Sequence, residues 1–232
     1  MLEPYLAAAL HPEVGFSVGL TLRVMAVAVP LLFIVGVPRG CLLGLGPGRW
    51  GARLVAALDA LVALPLIQPP MAVGFGLLLL LGRQGVLGAP LLKWLGLELV
   101  FSFPGLVLAA FTAGIPLMVR PVQAAMRGEL TRLMELSAVL GKGLPTTCVR
   151  VVLPHCRRSI AAGLFLASGR ALGEVGVSLL PGGDIVGRTN TVSLEIYNAV
   201  FSGDFARAGV LALLLAAVSV ALTVLLKRTG RE

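Results

Sequence analysis

The feature that most constrains this chain is a series of apolar runs, each close to the length that crosses a bilayer. A spanning helix needs about 20 apolar residues. Five stretches meet that need: Phe16–Val37 with Arg23 and Pro30 inside it, Leu54–Leu81 broken by Pro65, Pro69 and Pro70, Leu99–Val119 with Pro104 and Pro116, Ser159–Leu180 with Arg170 and Glu174, and Ala208–Leu226. Lipid offers the backbone no hydrogen-bond partner, so runs of this kind fold as helices. Thr191–Phe201 is too short to span and is expected as a partial or re-entrant helix packed inside the bundle. The composition agrees: 57% hydrophobic, 13% charged, mean hydropathy +0.96. The expected fold is an all-α polytopic transmembrane bundle of about five spans, forming one domain over residues 1–232. The first fifteen residues lack a basic n-region, so the first run is expected to be an anchor rather than a cleaved signal.

Basic residues set the orientation. With the N-terminus outside, the inner segments hold Arg39, Arg49, Arg53, Arg120, Arg127, Arg132, Lys142, Arg150, Arg157, Arg158, Lys227, Arg228 and Arg231, thirteen in all. The outer segments hold four, Arg83, Lys93, Arg188 and Arg207. Positive charge stays on the cytoplasmic side, so the expectation is N-terminus out and C-terminus in. The net charge of +8 follows from this placement and gives no reason to invoke nucleic acid.

The longest polar interval, 127–154, is therefore expected in the cytoplasm. Glu129 to Leu140 reads as a short amphipathic helix with an apolar stripe of Leu130, Leu133, Met134 and Leu140. Gly141 and Gly143 stop it, Pro145 opens a second short helix, and Pro154 marks the return to the membrane. Two short helices about a glycine bend at a membrane surface suit docking of a soluble partner.

The sequence contains no nucleotide-binding P-loop and no nucleophile elbow. The Gly44–Gly48 run reads as a loop, and His11 and His155 fall on opposite sides of the membrane. Cys41, Cys148 and Cys156 have no metal-ligand spacing and are expected as idle cytoplasmic thiols. No catalysis and no cofactor are expected. Arg170 and Glu174 share a helix face at i and i+4. Charges within a span are costly unless paired or facing water, so the pair is either a structural brace or part of a pathway. Gly163, Gly169, Gly173 and Gly176 on the same run favour close helix packing. Arg23 reads as a snorkelling residue. The break LPLIQPPMAVG, with Gln68, Pro69, Pro70 and Gly74, frees backbone groups that must face protein or a watery path. The GGDIVGRTNT stretch could offer amides and hydroxyls to an anion.

The interval 135–154 also carries a recognisable pattern. The cytoplasmic loop of binding-protein-dependent ABC importer permeases reads E-A-A, three residues, G, nine residues, I-x-L-P. Here Glu135, Gly141 and Val151-Val152-Leu153-Pro154 stand in register, with Leu136 and Ser137 in place of the alanines and Val151 in place of isoleucine. Within that superfamily the chain most resembles molybdate permeases, through LPLIQPPMAVGFGLLLLLGRQGVLG, PLMVRPVQAAM and GRALGEVGVSLLPGGDIVGRTNTVSLEIYNAV.

The resemblance implies a homodimeric permease of MetI-like fold in the cell inner membrane. Two ATPase subunits would dock on the coupling loop through Leu133, Glu135, Leu136, Ser137, Val139, Gly141, Leu153 and Pro154. A periplasmic or lipid-anchored binding protein would deliver a molybdate-type oxyanion, with tungstate and sulfate as alternative cargoes. The pathway or gate would involve Gln68, Pro69, Pro70, Gly74, Arg170, Gly173 and Glu174. A self-contained anion channel or carrier is the competing class, and it leaves the in-register loop unexplained.

Overall fold

The computed structural model describes residues 11–44, 51–126 and 129–229. Arg49, Arg127 and Arg231 of the charge count, and most of the 44–48 run, lie outside them. Every regular element among the described residues is helical. In chain order these are α1 (Pro12–Gly44), α2 (Ala52–Ile67), α3 (Pro70–Leu81), α4 (Gly88–Leu95), α5 (Phe103–Met126) and α6 (Glu129–Val139). Then come α7 (Leu144–Thr147), α8 (Leu153–Leu172), α9 (Gly176–Gly182), α10 (Val192–Phe201) and α11 (Phe205–Thr229).

Three described helices are each long and apolar enough to cross a membrane: α1, α5 and the Phe205–Leu222 part of α11. A bent pair, Cys148–Leu172 with Gly176–Gly182, turned by 60° at the join, is apolar and long enough for a broken span or a re-entrant loop. The expected second span divides into α2 and α3, of 16 and 12 residues, because Pro69 and Pro70 cannot donate the amides that a continuous helix requires. The first span is longer than the apolar run: α1 has 33 residues and passes through Pro30 and Pro38. At 1.5 Å per residue that is roughly 50 Å, more than a hydrocarbon core of about 30 Å.

The bundle is organised around α5, which packs between α1 and α8. Leu32 of α1 and Met118, Val119, Val122 and Met126 of α5 are fully enclosed. Lipid tails are as apolar as leucine, so close packing rather than water exclusion holds such helices together. Gly36, Gly40 and Gly44 supply it, four residues apart on one face of α1, against Met118, Val122 and Met126 of α5. A Cβ on Gly40 would stand 2.6 Å from the Cβ of Val122. On the other side of α5, the backbone at Gly163 of α8 approaches the Met118 carbonyl, where a Cβ would sit at 3.0 Å.

Pro154 does not end a helix. Its ring opposes the carbonyl four residues earlier, and it has no N–H. A five-residue π-turn, Cys148–Val152, absorbs the misfit, with the Leu153 amide donating to the Cys148 carbonyl. Residues 144–172 therefore run as one continuous helical rod. The expected partial helix is α10. Its first amide, Val192 N–H, donates to Thr21 Oγ1 of α1 at 3.0 Å, and Ser193 Oγ donates to the Leu172 carbonyl at 2.6 Å.

Gly40→Leu should break the α1–α5 contact and destabilise the protein by about 3 kcal/mol, whereas Gly19→Leu, with open space around it, should be silent. Thermal unfolding of the two purified variants in detergent checks this.

Candidate functional site

The interval from Glu129 onward folds back on the bundle through one face of α6. Leu130 is 1% exposed, and Leu133 and Met134 pack on the cluster that holds Met126 and Val152. Ser137 is buried, with its hydroxyl 3.0 Å from Thr147 Oγ1, so α6 is latched to the start of the 144–172 rod. The apolar stripe ends there. Leu140, expected in it, is 75% exposed because it lies past the helix end. The helix closes with Lys142 N–H donating to the Ser137 carbonyl at 3.0 Å, and Gly141 between them has φ +68°. That closure needs a left-handed residue, which glycine adopts without strain. The outward face carries Glu135, Leu136 and Val139, with Gly141 beyond them; Leu153 is half-buried and Pro154 exposed.

The other expected residues gather at the bend between α8 and α9. Arg170 and Glu174 form an ion pair in which Glu174 is buried and Arg170 is about one-third exposed. Glu174 Oε1 also accepts the Val177 amide at 2.5 Å and so caps the first turn of α9. Gly173, the turn residue between them, is exposed. The break at 68–70 comes to the same place. Pro70 lies against Gly176, and Gly74 approaches the carbonyls of Gly176 and Val177 at Cβ distances of 3.0 Å. The α3–α9 packing thus joins Pro70 and Gly74 to the Glu174 bend. Gln68 stands apart, beside a groove of about 380 Å³ that also takes in Arg39 and Thr112 and is otherwise apolar. The expected glycine row also divides. Gly163 and Gly176 pack within the chain, whereas Gly169 and Gly173 are exposed.

Two polar clusters escaped the sequence reading. Asp59 of α2 accepts from Arg120 Nη1 at 2.8 Å and from Gln123 Nε2 at 3.1 Å, tying α2 to α5. At the opposite end of the bundle, Arg207 pairs with both Glu13 and Glu195, and Asn190 donates to Glu195. This joins α1, α10 and α11. A lone acid inside an apolar run was the available signal for Asp59 and Glu195; their partners lie too far along the chain to be guessed. The GGDIVGRTNT stretch is not an open cradle of donors. Thr189 and Asn190 are buried, Thr189 Oγ1 accepts the Ile185 amide, and the Asn190 amide is spent on Glu195. Burial pushes the Asp184 carboxyl above the ordinary range, against a hydrogen bond from Asn198. No group of three or more metal-ligating side chains is found among the described residues.

The profile of binding-protein-dependent transport system inner membrane components matches residues 36–229. The chain belongs to this family. It is a multi-pass permease subunit of an ABC importer in the inner membrane, and ATP hydrolysis and substrate capture belong to separate subunits. The molybdenum transport system permease protein ModB of Azotobacter vinelandii is 36% identical to this permease over 193 residues, 83% of each chain. ModB of Escherichia coli K12 is 34% identical over 181 residues, 76% of this chain and 79% of that one. The crystal structure of a bacterial ABC transporter involved in the import of the acidic polysaccharide alginate contains a chain of the same fold. It has a TM-score of 0.73 and 18% identity, covering 99% of this permease and 82% of that chain.

Within the permease, Glu195 is 5% and Glu13 39% exposed at the side chain, and both bond Arg207. Glu195→Ala should therefore cost about 2–3 kcal/mol, with Glu13 still holding the guanidinium. Glu13→Ala should cost under about 1 kcal/mol. Melting of the two variants in the same detergent measures the difference.

Proposed function

We propose that this permease carries a molybdate-type tetrahedral oxyanion, as a homodimer, with its N-terminus outside and its C-terminus in the cytoplasm. The observation that carries the reading is the registered Glu135, Gly141 and Leu153-Pro154 pattern on a chain more than 30% identical to proteins named as molybdenum permeases. The orientation rests on thirteen basic residues inside against four outside.

In this reading the exposed face of α6, with Leu136 and Val139, enters a groove on the ATPase. Glu135 supplies a charged contact beside them, and the inner face of α6 holds it to the bundle. Displacement of α6 by ATP-driven closure is passed through the Ser137–Thr147 contact to the 144–172 rod. The far end of that rod is the Arg170–Glu174 bend, and α9 beyond it touches the break at Pro70. The rod therefore links the docking face to the residues proposed as pathway and gate: Gln68, Pro69, Pro70, Gly74, Arg170, Gly173 and Glu174. Arg170, about one-third exposed, offers a positive group to a passing dianion, while Glu174 fixes its position. Gly169 near the end of α8 and Gly173 just past it are bare, which suits close approach of the second protomer there. Tungstate and sulfate share the tetrahedral dianionic form, and the binding protein contributes to the choice among them.

Glu135→Lys and Gly141→Asp should lower uptake of labelled molybdate on the order of tenfold or more in cells that depend on this system, at unchanged membrane levels of the permease. Normal uptake by both variants would remove the coupling role. Arg170→Ala and Glu174→Ala separate brace from pathway. If each single variant fails and the double recovers, the pair is structural; if the double also fails while the protein remains folded, the charge itself is needed for transport.

A further inference from the structure

Nothing in the account so far uses α4. This eight-residue helix has the sequence GAPLLKWL, and its C-terminal half leaves large apolar side chains bare. Trp94 is 81% exposed and Leu95 65%, and Val86 just before the helix is 80% exposed. Leu87, Leu97 and Phe101 add to the same exposed neighbourhood. Lys93 stands next to Trp94, and Arg83 is exposed in the preceding turn.

The helix is not free to move away from the end of α3. The Leu87 amide donates to the Leu80 carbonyl at 3.0 Å, and the Gly85 amide to Gly82 at 2.8 Å, so the chain reverses within the last turn of α3. Gly85 and Gly88 rest against the carbonyl oxygens of Leu79, Leu80, Leu81 and Gly82, where no side chain would fit. The other end is closed by an ion pair, Arg83 Nε to Glu98 Oε1 at 2.6 Å, which brings the chain after Gly96 back to its start. The α3 helix is PMAVGFGLLLLL, without a charge, and Leu79 and Leu80 at its end are themselves exposed. A charge-free helix followed directly by Arg83 suits a place at the edge of a hydrocarbon layer. A short helix fastened at that edge has its apolar residues next to the bilayer boundary. That boundary is where tryptophan, leucine and a flanking lysine are most stable together, with the indole ring at headgroup depth and the ammonium in the phosphate layer.

We infer that α4 lies in the membrane interface as an anchor, with Trp94 and Leu95 inserted among the lipids and Lys93 and Arg83 facing phosphate. The surface runs on from the exposed, charge-free end of α3, Leu79 and Leu80, and a basic residue beside tryptophan at the end of such a run favours lipid over a protein partner. The anchor would hold the α3 end of the proline-broken segment at a fixed depth while the 68–70 break rearranges.

The sequence contains two tryptophans, Trp50 and Trp94, so Trp50→Phe leaves Trp94 as the single indole. The full-length variant is reconstituted into phosphatidylglycerol–phosphatidylethanolamine vesicles, some carrying bromine near the headgroup end of the acyl chains and some near the chain terminus. Headgroup-proximal bromine should remove most of the emission and chain-terminal bromine much less, with little quenching by aqueous iodide. Strong iodide quenching without lipid quenching would overturn the proposal by placing Trp94 in solvent. Protection from both quenchers would overturn it by placing the ring under protein, such as a second copy of the chain. If Trp50→Phe does not fold, fluorotryptophan labelling of the natural chain gives two resolved resonances. A paramagnetic lipid headgroup should then broaden the Trp94 signal, which a Trp94→Phe chain assigns; an unbroadened Trp94 signal would contradict the inference.

Discussion

The rest of the structure depends on the close approach of α1 to α5. A bilayer removes the usual reason for apolar surfaces to associate, so two helices stay together only where their backbones can meet over a long line of contact. Gly36, Gly40 and Gly44 provide such a line, and Met118, Val122 and Met126 fill it. With α5 fixed on one side by α1, its other side is presented to α8, where Gly163 meets the Met118 backbone. Every later element is placed relative to these three helices. Helix α6 seats Leu130 next to Met126, and α10 is pinned to Thr21 of α1 and Leu172 of α8.

The polar groups are arranged as fasteners between elements that packing alone holds weakly. Among the described residues of α2, Val62 is the one buried position. Its attachment to α5 relies on Asp59 meeting Arg120 and Gln123. At the opposite end, Arg207 gathers Glu13 and Glu195 from two other helices. Such pairs offset the cost of bringing charge into the bundle and specify which helices belong together, more than they add net stability. Glu174 differs from both. It is buried, it accepts an amide of the first turn of α9, and it pairs with a partly exposed arginine at the bend between α8 and α9, so it ties local backbone shape to that charge.

The long apolar runs made the helical membrane fold legible, because bilayer thickness translates directly into residue count. The short helices about Gly141 were legible for a similar reason: amphipathic spacing and a left-handed stop are local properties. What escaped was non-local. The apolar run of the first span stops at Val37, yet packing against α5 carries the helix to Gly44. Leu140 looked like part of a stripe but falls beyond the turn that Gly141 closes. Pro154 stands in the first turn of α8 without interrupting the helix before it, because a π-turn can carry a proline inside a continuous rod. Asp59 and Arg120 are 61 residues apart and Glu13 and Arg207 are 194 apart, separations at which sequence spacing says nothing about partnership. For the candidate site, the sequence placed Ser137 and Gly141 in one loop and Arg170 and Glu174 on one face. It gave no sign that Ser137 bonds Thr147 or that Pro70 meets Gly176.

In the proposed function this chain moves an oxyanion only as the membrane part of a three-component machine. Proteoliposomes containing the purified permease, its ATPase and its binding protein test it directly, with labelled molybdate supplied on the binding-protein side. The account predicts accumulation that requires ATP and all three components, with tungstate competing strongly and sulfate weakly. Anion flux through the permease alone, indifferent to ATP, would contradict it and make the chain a channel or carrier.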